Sequence, residues 1–263
     1  MPDLASALVY YVVFLFSVTL HEAAHAWAAM LGGDLTAYHG GQVTLDPRPH
    51  IKRAPFGMVV LPLLSVLISG WPFGFASAPF DPAWAVRHPR RAAWMALAGP
   101  GANLLLILAS ALLIRAGLAF GVFTAPSSVS FDHVVAAEAS GVWSAVAFVL
   151  SVLFSLNLVL AALNLLPLPP LDGSSAITLL MKEETALRYQ QFLWSMPMLQ
   201  MVGIMVAWQV FGAVFNPIFL FAVNLVYPGV HYGSSGGPSG GKRPAASSQA
   251  LVVSRPLSAF GVQ

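Results

Sequence analysis

His21-Glu22-Ala23-Ala24-His25 sets two imidazoles and a carboxylate within five residues. Positions four apart share a helix face, so His21 and His25 can each direct a ring nitrogen at one tetrahedral zinc. Glu22, rotated to the side, is placed to take a proton from a water beside that metal, which is hydrolytic chemistry. Seven His and four Glu in 263 residues produce this three-position pattern by chance at about 0.3%. The motif lies within an almost uncharged apolar stretch, 4 to 31, long enough to cross a bilayer. An ionisable group in mid-span costs about 2.5 kcal/mol or more, and groups kept there are usually functional. A pair of hydrogen-bonded core histidines is the plainer alternative, but it suits a single His better than two with a Glu between them.

Catalytic zinc normally takes three protein ligands and an exchangeable water. The chain has ten acidic residues, most of them in loops. Asp172 is the strongest candidate, in Asn164-Leu165-Leu166-Pro167-Leu168-Pro169-Pro170-Leu171-Asp172-Gly173, directly after an apolar helix. The prolines end that helix and stiffen the chain, and Gly173 permits a turn that points the carboxylate back into a bundle. The same residue types also suit an ordinary exposed turn, and by themselves they leave both readings open.

The elements that must position these groups are apolar. Hydrophobic residues make up 57% and charged residues 8%, against about 25% charged in soluble domains, so we expect an all-α multi-pass membrane protein. Membrane-suited segments run at 4–31, 57–75, 92–118, 141–166 and 190–227, the last broken near Asn216-Pro217 into a span 190–212 and a shorter helix 214–227. The expected architecture is a bundle of about 4–6 transmembrane helices in one domain, 1–232, with a short extended or re-entrant segment after the first helix. Residues 233–263, rich in Gly, Ser and Pro, are expected to be a disordered tail. Asp3 and the lack of a basic n-region argue against a cleavable signal peptide. The net charge of +2 is too small to suggest nucleic acid. No cysteine is present, so thiolate ligands are excluded.

His21-Glu22-x-x-His25 and Asn164-x-x-Pro167-x-x-x-x-Asp172-Gly173, with Ala98-Gly99-Pro100-x-x-Asn103 between them, resemble the site-2 protease family of intramembrane zinc metalloproteases. The resemblance covers most of residues 1–227, though Ser174 stands where many members carry a second Gly. Neither the PDZ nor the CBS module of some relatives is recognisable in these residues. The resemblance implies one zinc ion held by His21, His25 and Asp172, with Glu22 as catalytic base and Asn164 holding substrate or stabilising the oxyanion. Gly99-Pro100-x-x-Asn103 matches a family signature for which helix packing is one reading, and it stays outside the catalytic list. The stretch from Gly33-Asp34 through Thr44-Leu45-Asp46-Pro47 to His50 matches an extended segment that pairs with unwound substrate.

Family helices that carry the two motifs run in one direction, so an odd number of full spans must separate them. Segment 92–118 supplies one, and 57–75, interrupted by Pro62, Gly70 and Pro72, should not cross. Arg48, Lys52, Arg53, Arg87, Arg90 and Arg91 then share one face, the cytosolic one by the positive-inside rule. The implied partners are single-span membrane-protein substrates and the lipid bilayer, in the plasma or inner membrane, with the oligomeric state open. His39, His50, His88 and His133 fall in loops and read as surface residues, with His50, in the family-like stretch, the first candidate for an exception. Trp27, Trp71, Trp84 and Trp94 read as interfacial anchors, and Met196, Met198, Met201 and Met205 as helix packing. A membrane metal transporter and a non-catalytic binder of membrane proteins are the rival readings. A transporter would spread polar ligands over several spans, and a silent homologue would have no use for Glu22.

Overall fold

The computed structural model describes residues 3–233 and 251–252. The expected tail therefore lies almost wholly outside the described residues. Among the described residues the regular elements are helices and two-residue β pairings, and four helices are long and apolar enough to cross a membrane. It is a multi-pass membrane protein. Two compact units divide it, one of residues 1–105 with 159–211 and the other of 106–158 with 212 onward.

In the first unit, α1 (Leu4–Gly32) starts at Asp3, whose carboxylate accepts the Ser6 N–H at 2.8 Å. Two short helices follow, α2 (Thr36–His39) and α3 (Pro47–Arg53). The stretch 33–50, expected to be extended, holds α2 and the start of α3, and residues 40–46 between them are turn, bend and irregular chain. Phe56–Val60 then forms a π-helical turn that runs into α4 (Leu61–Ser69). Pro62 has no N–H for the Met58 carbonyl, and the ladder just before it widens, Leu61 N–H reaching Phe56 O.

The fourteen residues 56–69 rise about 21 Å, short of the roughly 30 Å hydrocarbon core. Gly70, at φ +85°, turns the chain back. Phe73 N–H donates to Ser65 Oγ at 2.7 Å, Phe75 N–H to Gly57 O at 3.1 Å and Arg53 Nε to Ser77 O at 2.9 Å. Those bonds return residue 75 to the start of the helix, so the segment enters and leaves at one level. It is re-entrant, as expected, but helical on the way in; the non-helical stretch is the return, 70–81.

α5 (Pro82–Arg87) leads into α6 (Pro89–Ala119). α5 and the N-terminal part of α6 pack on the C-terminal part of α1 through Ala29 of α1, Trp84 and Ala85 of α5, and Ala92 and Met95 of α6. Small side chains there let the helix backbones approach. Trp84 Nε1 and Arg91 Nη1 both donate to the Gly32 carbonyl, at 3.0 and 3.1 Å, and cap the end of α1. Trp84 is therefore buried, not the interfacial anchor its position suggested, whereas Trp27 and Trp94 are exposed as anchors should be.

α7 (Val142–Asn164) ends at the proline-rich loop, and α8 (Asp172–Ala176) and α9 (Glu183–Ser195) follow. α10 (Met198–Val226) is continuous through Pro217. The expected break at Asn216-Pro217 is absent; the chain breaks at Met196-Pro197 instead. Pro197 precedes the helix, where its missing N–H costs nothing, and Pro217 removes one internal bond, which membrane helices tolerate. Met196, Met198, Met201 and Met205 are exposed, so they face outward and do not pack the interior.

In the second unit a small cap organises the loop 120–141. β1 (Phe123–Thr124) pairs antiparallel with β2 (Ala136–Ala137). Ser151 Oγ accepts the Val134 and Val135 N–H groups, and the Tyr227 and Tyr232 hydroxyls donate to the carbonyls of Val134 and Pro126.

Candidate metal centre

His21 and His25 project from one face of α1, and both rings are buried. Their outward nitrogens are held from α6. His21 Nδ1 lies 2.6 Å from Asn103 Oδ1, and His25 Nδ1 lies 2.7 Å from the Met95 carbonyl. Both partners are acceptors, so each Nδ1 carries the proton and each Nε2 is left with a lone pair. The contacts also show that α1 and α6 run antiparallel, since rising numbers in α1 meet falling numbers in α6.

Asp172 comes from the first residue of α8. The loop before it folds tightly: Leu166 N–H bonds Leu163 O, Leu168 N–H bonds Leu166 O, and Leu171 N–H bonds Leu168 O. Gly173 serves this loop by close approach, because a side chain there would strike the carbonyls of Leu165 and Leu166. It is not the exposed turn that its composition also allowed.

The three donors meet. The two Nε2 atoms are 3.0 Å apart, and Asp172 Oδ2 is 3.2 Å from that of His21 and 3.3 Å from that of His25. Ligands at about 2.0 Å from a tetrahedral zinc stand about 3.3 Å from one another, which this triangle approximates. With both imidazoles neutral, three such lone-pair atoms at these distances repel one another unless a cation lies among them. Asp172 Oδ2 accepts no hydrogen bond, nor does Glu22 Oε2 on the buried carboxylate beside His21. The donor set fits a metal ion, and it is the one His, Asp or Glu cluster of this kind among the described residues.

Asn164, the last residue of α7, turns its side-chain amide back to Leu160 O at 3.0 Å. His39, His50, His88 and His133 stand outside the cluster. His50 is nevertheless 1% exposed, with Nε2 donating to Thr44 O, so it holds a loop together and is not a surface residue.

The residues that sequence reasoning left out are Met95, Gly99 and Asn103. They form a single stripe on α6, four residues apart. A Cβ on Gly99 would come within 2.6 Å of His21 Nε2 and would also strike His25 Nε2. The Gly99-Pro100-x-x-Asn103 motif was a signal for two of them, but its role as the floor of the donor triangle was not legible. Met95 acts through its main chain, which leaves no mark in the sequence.

Comparison with known proteins agrees with this geometry. The profile described as Peptidase family M50 matches residues 9–208. YwhC of Bacillus subtilis, named "Putative zinc metalloprotease", is 34% identical over 165 residues, which are 62% of this chain and 64% of YwhC. Rip2 of Mycobacterium tuberculosis H37Rv, named in the same way, is 33% identical over 173 residues, 65% of this chain and 57% of Rip2. Rip2 of Mycolicibacterium smegmatis is 31% identical over 172 residues. The chain thus spans less than two thirds of the length of these relatives. No solved structure matches. Both histidines, Asp172 and the α6 stripe fall within the matched residues, which make up well over half of the chain, and the chain belongs to peptidase family M50.

Proposed function

We propose that this chain is a zinc-dependent endopeptidase that hydrolyses peptide bonds within or beside the transmembrane helices of single-span membrane proteins. The observation that carries the reading is the triangle of two bare Nε2 atoms and a carboxylate oxygen on a membrane-length helix, with the Glu22 carboxylate adjoining it. His21, His25 and Asp172 would hold one zinc ion. Bound there, zinc supplies a Lewis acid and lowers the pKa of a water to about 7. Glu22 accepts a proton from the attacking water and passes it to the leaving amide nitrogen, so one water is consumed and a carboxyl and an amine are formed.

Asn164 is assigned to the developing oxyanion. Its amide has a second N–H besides the one that bonds Leu160 O. An intact substrate helix hides its carbonyls, so the scissile segment must unwind. The return stretch 70–81, whose backbone is outside any helix for most of its length, is the surface against which an unwound chain pairs. Arg48, Lys52, Arg53, Arg87, Arg90 and Arg91 are all exposed in the segments that follow α1 and precede or open α6. By the positive-inside rule they turn the site-bearing end toward the cytosol, and we assign the chain to the cell membrane.

The test uses purified full-length protein in detergent with a panel of single-span substrates. Wild type should carry one zinc and cleave, and a chelator should stop cleavage until zinc is restored. Glu22→Gln should retain zinc and lose cleavage by about 10²–10⁴-fold. Asp172→Ala should lose zinc; full affinity in that variant would remove Asp172 from the ligand set. A wild type that binds zinc, cleaves nothing and moves zinc across liposomes would replace the protease reading with a transporter.

A further inference from the structure

The Met95–Gly99–Asn103 stripe has no part in the reaction as written, yet it touches both histidines. We propose that Asn103 is a positioning residue for metal binding. Its side-chain carbonyl holds His21 in the tautomer whose Nε2 is a bare donor, while Gly99 keeps α6 clear of the two Nε2 atoms. The proposal rests on the zinc reading above and gives the α6 motif a role within it.

Three observations carry it. Asn103 is 0% exposed, so its desolvated carbonyl needs a donor, and the His21 Nδ1–H meets it at 2.6 Å. A neutral imidazole has one proton; binding that proton at Nδ1 excludes it from Nε2, the atom that faces His25 and Asp172. Carbonyl partners of this kind also fix the ring plane and raise the basicity of the ligand nitrogen. The third observation is the target of the Gly99 clearance: the atoms that a Cβ would strike belong to the two imidazoles, His25 Nε2 and His21 Nε2 and Cε1.

A packing role would be satisfied by any small residue at 103, since close helix approach needs only small volume. It does not call for an amide oxygen at hydrogen-bonding distance from a ring nitrogen. The two histidines also differ in a useful way. The support of His25 is the Met95 main-chain carbonyl, which no substitution removes, while that of His21 is a side chain. One ligand can therefore lose its partner while the other keeps it.

The experiment compares full-length wild type with Asn103→Ala, Asn103→Asp and Gly99→Ala in detergent. It measures zinc affinity by competition with a chromophoric chelator and ligand-field absorption with cobalt in place of zinc. Asn103→Ala should bind zinc about 10–100-fold more weakly, with an altered cobalt spectrum. Asn103→Asp keeps an acceptor oxygen in place and should restore affinity to within about 3-fold of wild type, a small part of that loss. Gly99→Ala should fail to bind stoichiometric metal. If Asn103→Ala does not fold, Asn103→Ser, whose hydroxyl is too short to reach His21, carries the same expectation as alanine.

Wild-type affinity and spectrum in Asn103→Ala, or equal loss in the alanine and aspartate variants, would overturn the tautomer role. Wild-type affinity in Gly99→Ala would overturn the clearance role. A wild type that takes up neither zinc nor cobalt would overturn the zinc reading itself, a result distinct from the others.

Discussion

Asp172 and Asn164 illustrate what single residues in the same loop can and cannot reveal. Both flank a proline-rich run, but Asp172 closes the donor triangle, whereas the Asn164 amide is turned to its own helix at Leu160 O. The carboxylate was a candidate because a metal with two histidines lacks a ligand, and the family resemblance made it the third one. The asparagine was singled out by family resemblance and has no contact that assigns it. Its role has a kinetic signature: Asn164→Ala should lower kcat by about 10²–10³-fold with zinc content unchanged. A variant with unaltered kcat and raised KM would make Asn164 a substrate-holding residue and remove it from the oxyanion.

Among the elements, α1 and α6 must hold their register to within a turn, because Asn103 and Met95 each serve one histidine. Part of that register is set at the end of α1. Asp34, just beyond the helix, accepts the Thr36 N–H and hydroxyl on Oδ1 and the Asp81 N–H on Oδ2, tying the segment after α1 to the one before α5 and α6. Burial would raise the Asp34 carboxyl, but the hydrogen bonds from Thr36 and Asp81 outweigh it and hold the group below its ordinary 3.8. A carboxyl depressed by folding contributes its stability in full above the unfolded pKa and loses it as pH falls through the lower folded value. Asp34→Asn should therefore cost about 2 kcal/mol at pH 5–8. The gap to wild type should narrow as pH falls below the ordinary carboxyl value and toward the lower folded one, as read by thermal unfolding in detergent. A gap that stays the same at pH 3 would show that charge is not what Asp34 supplies. Sequence placed Asp34 in a family-like extended stretch; its partner lies 47 positions away, beyond what local patterning can show.

At the scale of the whole molecule, the number of crossings decides which loops share a side. Four spanning helices leave α3 and α9 on one side, because α6 and α7 intervene as a pair. A fifth crossing at 56–69 would separate them. The chain has no cysteine, so single-cysteine labelling reads this without a background. Leu45→Cys and Leu180→Cys, both at exposed positions, should react with an impermeant thiol reagent from the same side of sealed vesicles, and Phe120→Cys from the other. Labelling of Leu45→Cys and Leu180→Cys from opposite sides would make 56–69 a crossing and undo the re-entrant hairpin.

Composition and spacing by themselves determined the membrane class and the helix that carries His21 and His25, because hydropathy and helical period are local or additive quantities; they made Asp172, ~150 residues away, a candidate, and the family resemblance made it the third ligand. The charges flanking 57–75 and the proline and glycine within it, together with the helix direction that the resemblance implies, led only to the expectation that it does not cross. Tertiary structure alone decided that α10 runs through Pro217 while the chain breaks at Met196-Pro197. It also decided that Trp84 and His50 are buried, and that an amide and a main-chain carbonyl of α6 orient the two imidazoles. Each of these depends on which surfaces face one another, and in a chain that is apolar nearly throughout, the hydrophobic pattern no longer distinguishes the face that meets a neighbour from the face that meets lipid.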